Sequence, residues 1–189
     1  MASNAKPAGS GARVPWRLIG WGAASALLLT PAIAMQFTRE VNWSLLDFVV
    51  AGVIFAIVGG TFELAVRANG DRNYRAAVAL ALAGGFFTVW INLAVGIVGN
   101  EKNPVNLVFF AVILVAVAGS IAGRFRSGAM ARAMAITGTL QAMVGLAVFA
   151  TGLGRGERPG EAGLLMLILG LSAFWIGSAL LFRQSANHL

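Results

Sequence analysis

Residues 105–122 have the sequence VNLVFFAVILVAVAGSIA, and this stretch decides the fold. It carries no charged side chain, and its length approaches the roughly 20 apolar residues that a helix needs to cross a bilayer. The apolar residues run continuously, whereas a membrane β-strand would alternate apolar and polar residues over about 10 positions. The stretch therefore predicts a transmembrane α-helix.

Five further stretches, on both sides of this one, have the same character. The 189 residues are 58% hydrophobic and 11% charged, and their mean hydropathy is +0.80. A soluble domain carries about 25% charged residues, so the composition excludes an ordinary soluble enzyme. We predict an all-α transmembrane bundle of six helices over residues 18–183, with a mobile tail at 1–17 and a short tail at 184–189. The predicted helices cover residues 18–35, 45–66, 76–99, 105–122, 133–152 and 163–182.

The residue types that are missing exclude several chemistries. The chain has no cysteine, and its single histidine, His188, is the second-last residue, so thiolate metal sites and bis-histidine haem have no ligands. The two lysines, Lys6 and Lys102, lie outside the predicted helices, which excludes an intramembrane Schiff base. We expect no cofactor, no metal site and no enzymatic activity.

The basic residues divide unevenly between the two sides of the predicted bundle. Because cytoplasmic loops of membrane proteins are enriched in arginine and lysine, the richer side predicts that both termini are cytoplasmic. The same asymmetry accounts for the net charge of +7 without a nucleic-acid partner. Arg124 and Arg126 are also candidates to contact anionic lipid head groups. The basic residues on the richer side are Lys6, Arg13, Arg17, Arg67, Arg72, Arg75, Arg124, Arg126, Arg132 and Arg183.

The N-terminal segment has a second interpretation. Basic residues precede an apolar run, Pro31 interrupts it, and the sequence AIA at 32–34 matches a signal-peptide cleavage pattern. A cleaved signal peptide is therefore the alternative to a retained first helix. We favour retention because the charge distribution then fits a six-helix topology.

Charged residues recur at constant spacing in the second half of the chain. Arg75 and Arg126 recur as Arg132 and Arg183, in each case 57 residues later. This spacing predicts that helices 3–4 and 5–6 are tandem parallel hairpins. The alternative is that short loops between six helices produce the same rhythm without a repeat.

Several connections carry signals for helix ends. Ser44 and Asp47 have the spacing of a capping box, in which each residue satisfies a backbone N–H of the other. Asp71 and Asn103 are predicted to cap the helices that follow them.

Polar residues within the predicted helices are the default candidates for function. Thr88 and Asn92 share one face of helix 3, and Thr137 and Gln141 share one face of helix 5. They predict either ordinary interhelical hydrogen bonds or a narrow polar site between helices 3 and 5. Glu63 precedes Arg67 by four residues, which favours an ion pair over a proton-carrying role.

Small residues at four-residue spacing predict close helix packing. Gly119 and Gly123 have this spacing on helix 4, and Ala173 and Gly177 have it on helix 6. Such positions allow the backbones of neighbouring helices to approach.

The segment from Val89 to Leu107, VWINLAVGIVGNEKNPVNL, resembles a segment of small six-helix inner-membrane proteins of bacteria whose function is uncharacterised. The resemblance extends over most of helices 2 to 5. It implies a multi-pass protein of the bacterial inner membrane, and it assigns no activity and no functional residue.

Three functional classes follow from these patterns. We favour a non-catalytic accessory subunit that packs against other membrane proteins or against itself within the lipid bilayer. The second class is a small channel or carrier for a small neutral solute or ion that would use Thr88, Asn92, Gln141 and Glu63. An intramembrane enzyme is the weakest class, because the predicted helices contain no histidine, carboxylate pair or metal-binding set.

Overall fold

The computed structural model describes residues 16–153 and 159–187. These residues form six α-helices and one 3-10 turn, with no β-strand among them, and all six helices are long and apolar enough to cross a membrane. The all-α prediction is therefore confirmed, while the expectations for residues 1–15, the loop at 154–158 and His188 lie outside the described residues. The helices are α1 (Trp16–Ala34), α2 (Leu45–Ala68), α3 (Arg72–Ala94), α4 (Leu107–Ala122), α5 (Ser127–Thr151) and α6 (Gly160–Asn187), and the 3-10 turn is Pro104–Asn106.

The chain divides into two compact units, Met1–Gly59 and Gly60–Leu189, with the boundary inside α2. In the first unit, α1 contacts α2 through Trp21 and Leu28. A Cβ atom added at Gly59 would lie 3.1 Å from the Trp21 ring, and one added at Gly52 would lie 3.8 Å from Leu28. Among the described residues of this unit, only Ala51 is buried.

The second unit is built around α6. This helix packs along α5 and along α3, and α4 packs against α5, whereas α3 and α4 contact each other only slightly. The two predicted hairpins therefore differ in how closely their helices pack.

Two apolar clusters form the core of the second unit. One cluster, named here the Phe182 cluster, lies where α3 begins and α6 ends; the other, the Ile97 cluster, lies where α3 ends and α6 begins. The Phe182 cluster contains Tyr74, Ala77, Val78, Ala116, Met130, Ala133, Met134, Trp175, Ala179 and Phe182. The Ile97 cluster contains Ile97, Val98, Phe109, Val148, Leu164, Ile168 and Leu171.

The predicted end of helix 3 at residue 99 is wrong. The helix ends at Ala94 because Gly96 (φ +77°) and Gly99 (φ +70°) adopt left-handed backbone conformations that do not continue an α-helix. Between these glycines, Ile97 and Val98 turn inward and are fully buried. Residues predicted to complete a membrane span therefore form a folded loop over one end of the bundle.

Helices α5 and α6 are longer than predicted. α5 begins at Ser127 instead of residue 133, and α6 continues to Asn187, so residues 184–187 of the predicted tail are helical. The capping predictions for Asp47 and Asp71 are confirmed. Asp47 accepts from the Ser44 N–H at 2.7 Å, and Asp71 accepts from the first amides of α3. Asn103 accepts from the Val105 N–H at 3.0 Å and so caps the 3-10 turn that precedes α4, instead of α4 itself.

Candidate functional site: a polar layer in the second unit

Helices α5 and α6 run antiparallel, and their glycine contacts fix which residues face each other. An added Cβ at Gly138 would meet Trp175 and Ile176, and one at Gly145 would meet Ile168. Gln141 lies between these two glycines on the same face of α5. Ser172 lies between Ile168 and Trp175 on α6, so Gln141 and Ser172 lie at the same level of the bundle.

Helix α3 reaches the same level from the other side of α6. An added Cβ at Gly84 would lie 3.0 Å from Phe174 and 3.3 Å from Trp175. Thr88 is one turn beyond Gly84, and α6 runs antiparallel to α3, so Thr88 lies within about two residues of the level of Ser172. Asn92 follows one turn further on. We call Thr88, Asn92, Thr137, Gln141, Ser172 and the indole N–H of Trp175 the polar layer.

The predicted location of this site between helices 3 and 5 needs correction. α6 packs against both helices, while α3 and α5 have little direct contact. The polar groups of α3 and α5 therefore converge on α6, and Ser172 and Trp175 of α6 complete the set.

Most hydrogen bonds of the layer stay within single helices. The Thr88 hydroxyl donates to Gly84 O at 2.7 Å, and the Thr137 hydroxyl donates to Ala133 O at 2.9 Å. Asn92 Nδ2 donates to Thr88 O at 2.7 Å. These groups are satisfied without joining one helix to another, so the predicted interhelical bonds are not made at these positions.

Five buried polar atoms in this region have no hydrogen-bond partner within the described part of the chain. They are Asn92 Oδ1, Gln141 Oε1, Gln141 Nε2, Ser172 Oγ and Trp175 Nε1. Gln141 is 0% exposed, so neither end of its amide reaches solvent or lipid. An unpartnered buried polar group costs about 1–3 kcal/mol, which makes the polar layer the least favourable part of this core.

The layer lies between the two apolar clusters. Phe182 and Met134 lie on one side of it, and Ile97 and Val98 lie on the other, all four with at most 2% exposure. A small cavity of about 10 Å³ lies beside the loop that follows α3, lined by Ile97, Phe149, Leu164 and neighbouring residues, and the polar layer contributes nothing to its lining.

Interhelical hydrogen bonds come from residues that the sequence analysis did not select. Ser178 Oγ donates to Ala77 O at 2.8 Å and joins α6 to α3. Ser127 and Ser185 are hydrogen-bonded through their hydroxyls at 3.2 Å and join α5 to α6. Serines are common on membrane helices, and nothing in the local sequence distinguishes these three from the others.

Asn106 organises the loop that covers the Ile97 cluster. Its Oδ1 accepts from the amides of Ile97 (3.1 Å) and Val98 (2.9 Å), and its Nδ2 donates to Asn100 O at 2.7 Å. One buried side chain therefore satisfies several backbone groups of a loop that could not otherwise pair them. In the sequence, Gly96 and Gly99 on either side of two apolar residues are the feature that indicates this loop.

Glu63 lies away from the polar layer, near the end of α2. Arg67 Nη2 donates to its carboxylate, and the Glu63 side chain is 18% exposed. This i,i+4 pair is the arrangement that the sequence predicted for the two residues.

The predicted packing positions lie in different environments. Added Cβ atoms at Gly119 and Gly123 would lie 2.8 Å and 2.6 Å from alanine side chains of α5, so α4 and α5 approach where these two side chains are absent. Gly177 faces Leu80 of α3 at 3.2 Å. Ala173 is exposed, so the close contacts of α6 are made at other positions.

Arg124 and Arg126 lie in the turn between α4 and α5 and are both exposed. Arg124 (φ 49°) and Phe125 (φ 56°) have left-handed backbone conformations, which are uncommon for residues with side chains. The Tyr74 hydroxyl donates to Phe125 O at 3.0 Å and attaches the turn to α3.

Comparisons of the chain with protein-family models, curated proteins and solved structures found no match. Functional conclusions therefore depend on the residues and their arrangement.

Proposed function

We propose that this chain is a non-catalytic membrane protein that acts as an accessory subunit and packs against a transmembrane helix of another polypeptide through α1. The observation that carries this proposal is the exposure of α1, in which no residue from Arg17 to Ala34 is buried. The second unit, in contrast, has its own apolar clusters and interhelical bonds.

One face of α1 suits a close helix contact. Trp21 and Leu28 point toward α2, as their contacts with Gly59 and Gly52 show. A different face carries Gly22 and Ala26, four residues apart and both exposed. Small residues at this spacing let helix backbones approach closely in a bilayer.

The space around Gly22 supports an external role for this face. A Cβ atom added there would meet nothing within 4 Å, so packing inside the chain does not require a glycine. Glycine in a helix costs about 1 kcal/mol relative to alanine. Position 22 has room for a large side chain, yet it holds glycine. A partner helix whose backbone approaches α1 closely at this position would explain why the residue is small.

The test is purification in a mild detergent, comparing Gly22→Leu with the matched control Ala118→Leu, an exposed position on α4. We expect the unmodified chain and the Ala118 variant to retain one partner at fixed stoichiometry, and the Gly22 variant to lose it. Neither variant should be less stable than the unmodified chain, because Ala118 is exposed, a Cβ at Gly22 meets nothing within 4 Å, and leucine removes the cost of a helical glycine. Equal retention by the two variants would reject the α1 interface.

A second candidate function is passage or binding of a small neutral solute at the polar layer. The unpartnered amide of Gln141 favours it, because a bound molecule with both donor and acceptor groups would satisfy both amide atoms. The apolar clusters on both sides require that the bundle opens for entry. In proteoliposomes, glycerol or urea flux that disappears in Gln141→Leu and persists in Thr139→Leu would support it, since Thr139 is exposed on the same helix.

We also propose that the protein resides in a bacterial inner membrane with both termini cytoplasmic. In the second unit, Tyr74, Phe125 and Phe182 come together, so the arginines beside them lie at one end. Glu101 and Glu161 lie at the opposite end, which matches the positive-inside rule for this orientation. Reporter fusions after residue 100 and after Leu189 should indicate opposite sides, and the same side for both would contradict the orientation.

A further inference from the structure

The turn Arg124–Arg126 combines features that the accessory-subunit proposal does not use. Both Arg124 and Phe125 are left-handed, a conformation in which glycine would be less strained. The turn is nevertheless well held, since Phe125 N donates to Ser120 O at 3.1 Å and Phe125 O accepts from Tyr74. Arg124 and Phe125 therefore occupy two positions at which the left-handed backbone conformation favours glycine.

The surroundings of the turn are positively charged. Arg72 and Arg183 are exposed at the same end of the unit, because the Tyr74–Phe125 and Ser127–Ser185 hydrogen bonds bring their helix ends together. Of the carboxylates described at this end, Glu63 pairs with Arg67 and Asp71 accepts from amides of α3. An anion at the turn would therefore meet a positive excess.

An apolar stripe leads from the middle of α4 to this charge. Leu114, Val117 and Ile121 are spaced by three and four residues on one helix face, with exposures of 67%, 47% and 61%. Phe125, 56% exposed, lies in the turn that follows the end of α4 at Ala122. A stripe of apolar side chains that ends in arginines matches an acyl chain that ends in an anionic head group, which neither a free phosphate ion nor an acidic soluble protein would match.

We propose that the Arg124–Arg126 turn and the α4 stripe form a binding site for an anionic phospholipid. The guanidinium groups of Arg124 and Arg126 bind the phosphate of the head group, and Ile121 and Phe125 pack against the acyl chain. The Tyr74 hydrogen bond positions the turn and makes no contact with the lipid head group.

Native mass spectrometry of the full chain, titrated with phosphatidylglycerol or phosphatidylcholine in detergent, tests the site. An arginine near an anionic lipid surface contributes enough for about a fivefold change in affinity, so Arg124→Gln with Arg126→Gln should weaken phosphatidylglycerol binding about 25-fold. Its control, Lys102→Gln, removes a positive charge at the opposite end of the second unit. It should change binding by less than about threefold, since charges beyond a Debye length are screened.

Two further measurements separate the head group from the acyl chain. Phe125→Ala should weaken phosphatidylglycerol binding, and inorganic phosphate at the same concentration should not displace the lipid. Arg124→Gly relieves the left-handed strain and should raise the melting temperature while lipid affinity falls. Equal binding of the two phospholipids, displacement by inorganic phosphate, or equal losses in the double variant and its control would each overturn the proposal.

Discussion

The two units of this chain place their polar and apolar residues in opposite ways. The first unit leaves its described apolar residues exposed or half-buried, with Ala51 as the single buried one among them. The second unit buries polar side chains such as Gln141 and Ser178 among apolar ones. Sequence hydropathy is high in both, so hydropathy identifies a membrane segment and does not distinguish a helix that packs within the chain from one that packs elsewhere.

The difference has a physical cause. In a bilayer, lipid tails are as apolar as leucine, so the hydrophobic effect does not select which helix faces pack. Packing follows close backbone contacts and hydrogen bonds, which the second unit has in Gly138, Gly145 and Ser178. The first unit has a single tight contact of this kind, between Gly59 and the Trp21 ring.

The largest effect is expected where α5 and α6 are closest. Gly145→Leu would force a side chain into Ile168 and separate the two helices, with a loss of about 3 kcal/mol in the free energy of unfolding. Thermal denaturation in detergent measures it. The control Gly170→Leu, with nothing within 4 Å of an added Cβ, should be close to the unmodified chain. Similar losses in both variants would mean that the close contact is not what stabilises α5 on α6.

The loop between α3 and α4 should depend on Asn106. In Asn106→Ala, the amides of Ile97 and Val98 lose their acceptor while still buried, which should cost about 2 kcal/mol or more. Amide hydrogen exchange at residues 96–100 should accelerate most. Asn103→Ala loses only one cap bond and should cost about 1 kcal/mol. Unchanged exchange in Asn106→Ala would contradict the role of this side chain.

Two polar residues of the second unit should respond with opposite signs. Gln141→Leu removes two unpartnered atoms and should raise the free energy of unfolding by about 1 kcal/mol. Ser178→Ala removes the α6–α3 bond and should lower it by roughly 0.6 kcal/mol. Chemical denaturation in mixed micelles compares them. A lower free energy of unfolding in Gln141→Leu would show that the side-chain amide of Gln141 has hydrogen-bond partners in the folded protein.

The smallest effect belongs to the first unit. Ser44→Ala removes half of the capping box at the start of α2 and should cost about 0.5 kcal/mol. Only the first turn of α2 should exchange its amides faster. Faster amide exchange in α3–α6 would contradict this prediction, because it would show that the stabilities of the two units are coupled.

The sequence was sufficient for the features that depend on local chemistry. Helix number followed from continuous apolar runs, and the caps at Ser44, Asp71 and Asn103 followed from side chains that reach their own backbone. The end of α3 was missed because residues 95–99 are apolar enough to continue a membrane helix. Only the left-handed glycines and the distant Asn106 side chain distinguish a folded loop from another helical turn.

The polar site could be predicted only in part. Residue type and helical spacing identified Thr88, Asn92, Thr137 and Gln141, and all four are buried. Their position beside α6 depends on which helices pack together. The spacing of Arg75 and Arg132 predicts a repeat of hairpins, and it does not indicate that α6 packs between α3 and α5. Ser172 and Trp175 were therefore not recognised as members of the same set.

Site-specific photo-cross-linking in cells tests the central claim, that α1 packs against a helix of another polypeptide, most directly. A photoreactive phenylalanine analogue replaces Ala26 on the free face of α1 or, as the control, Ala118 on α4. We predict a protein adduct of one defined mass from position 26, abolished by Gly22→Leu, and only lipid adducts from position 118. Lipid adducts alone at both positions would contradict the account.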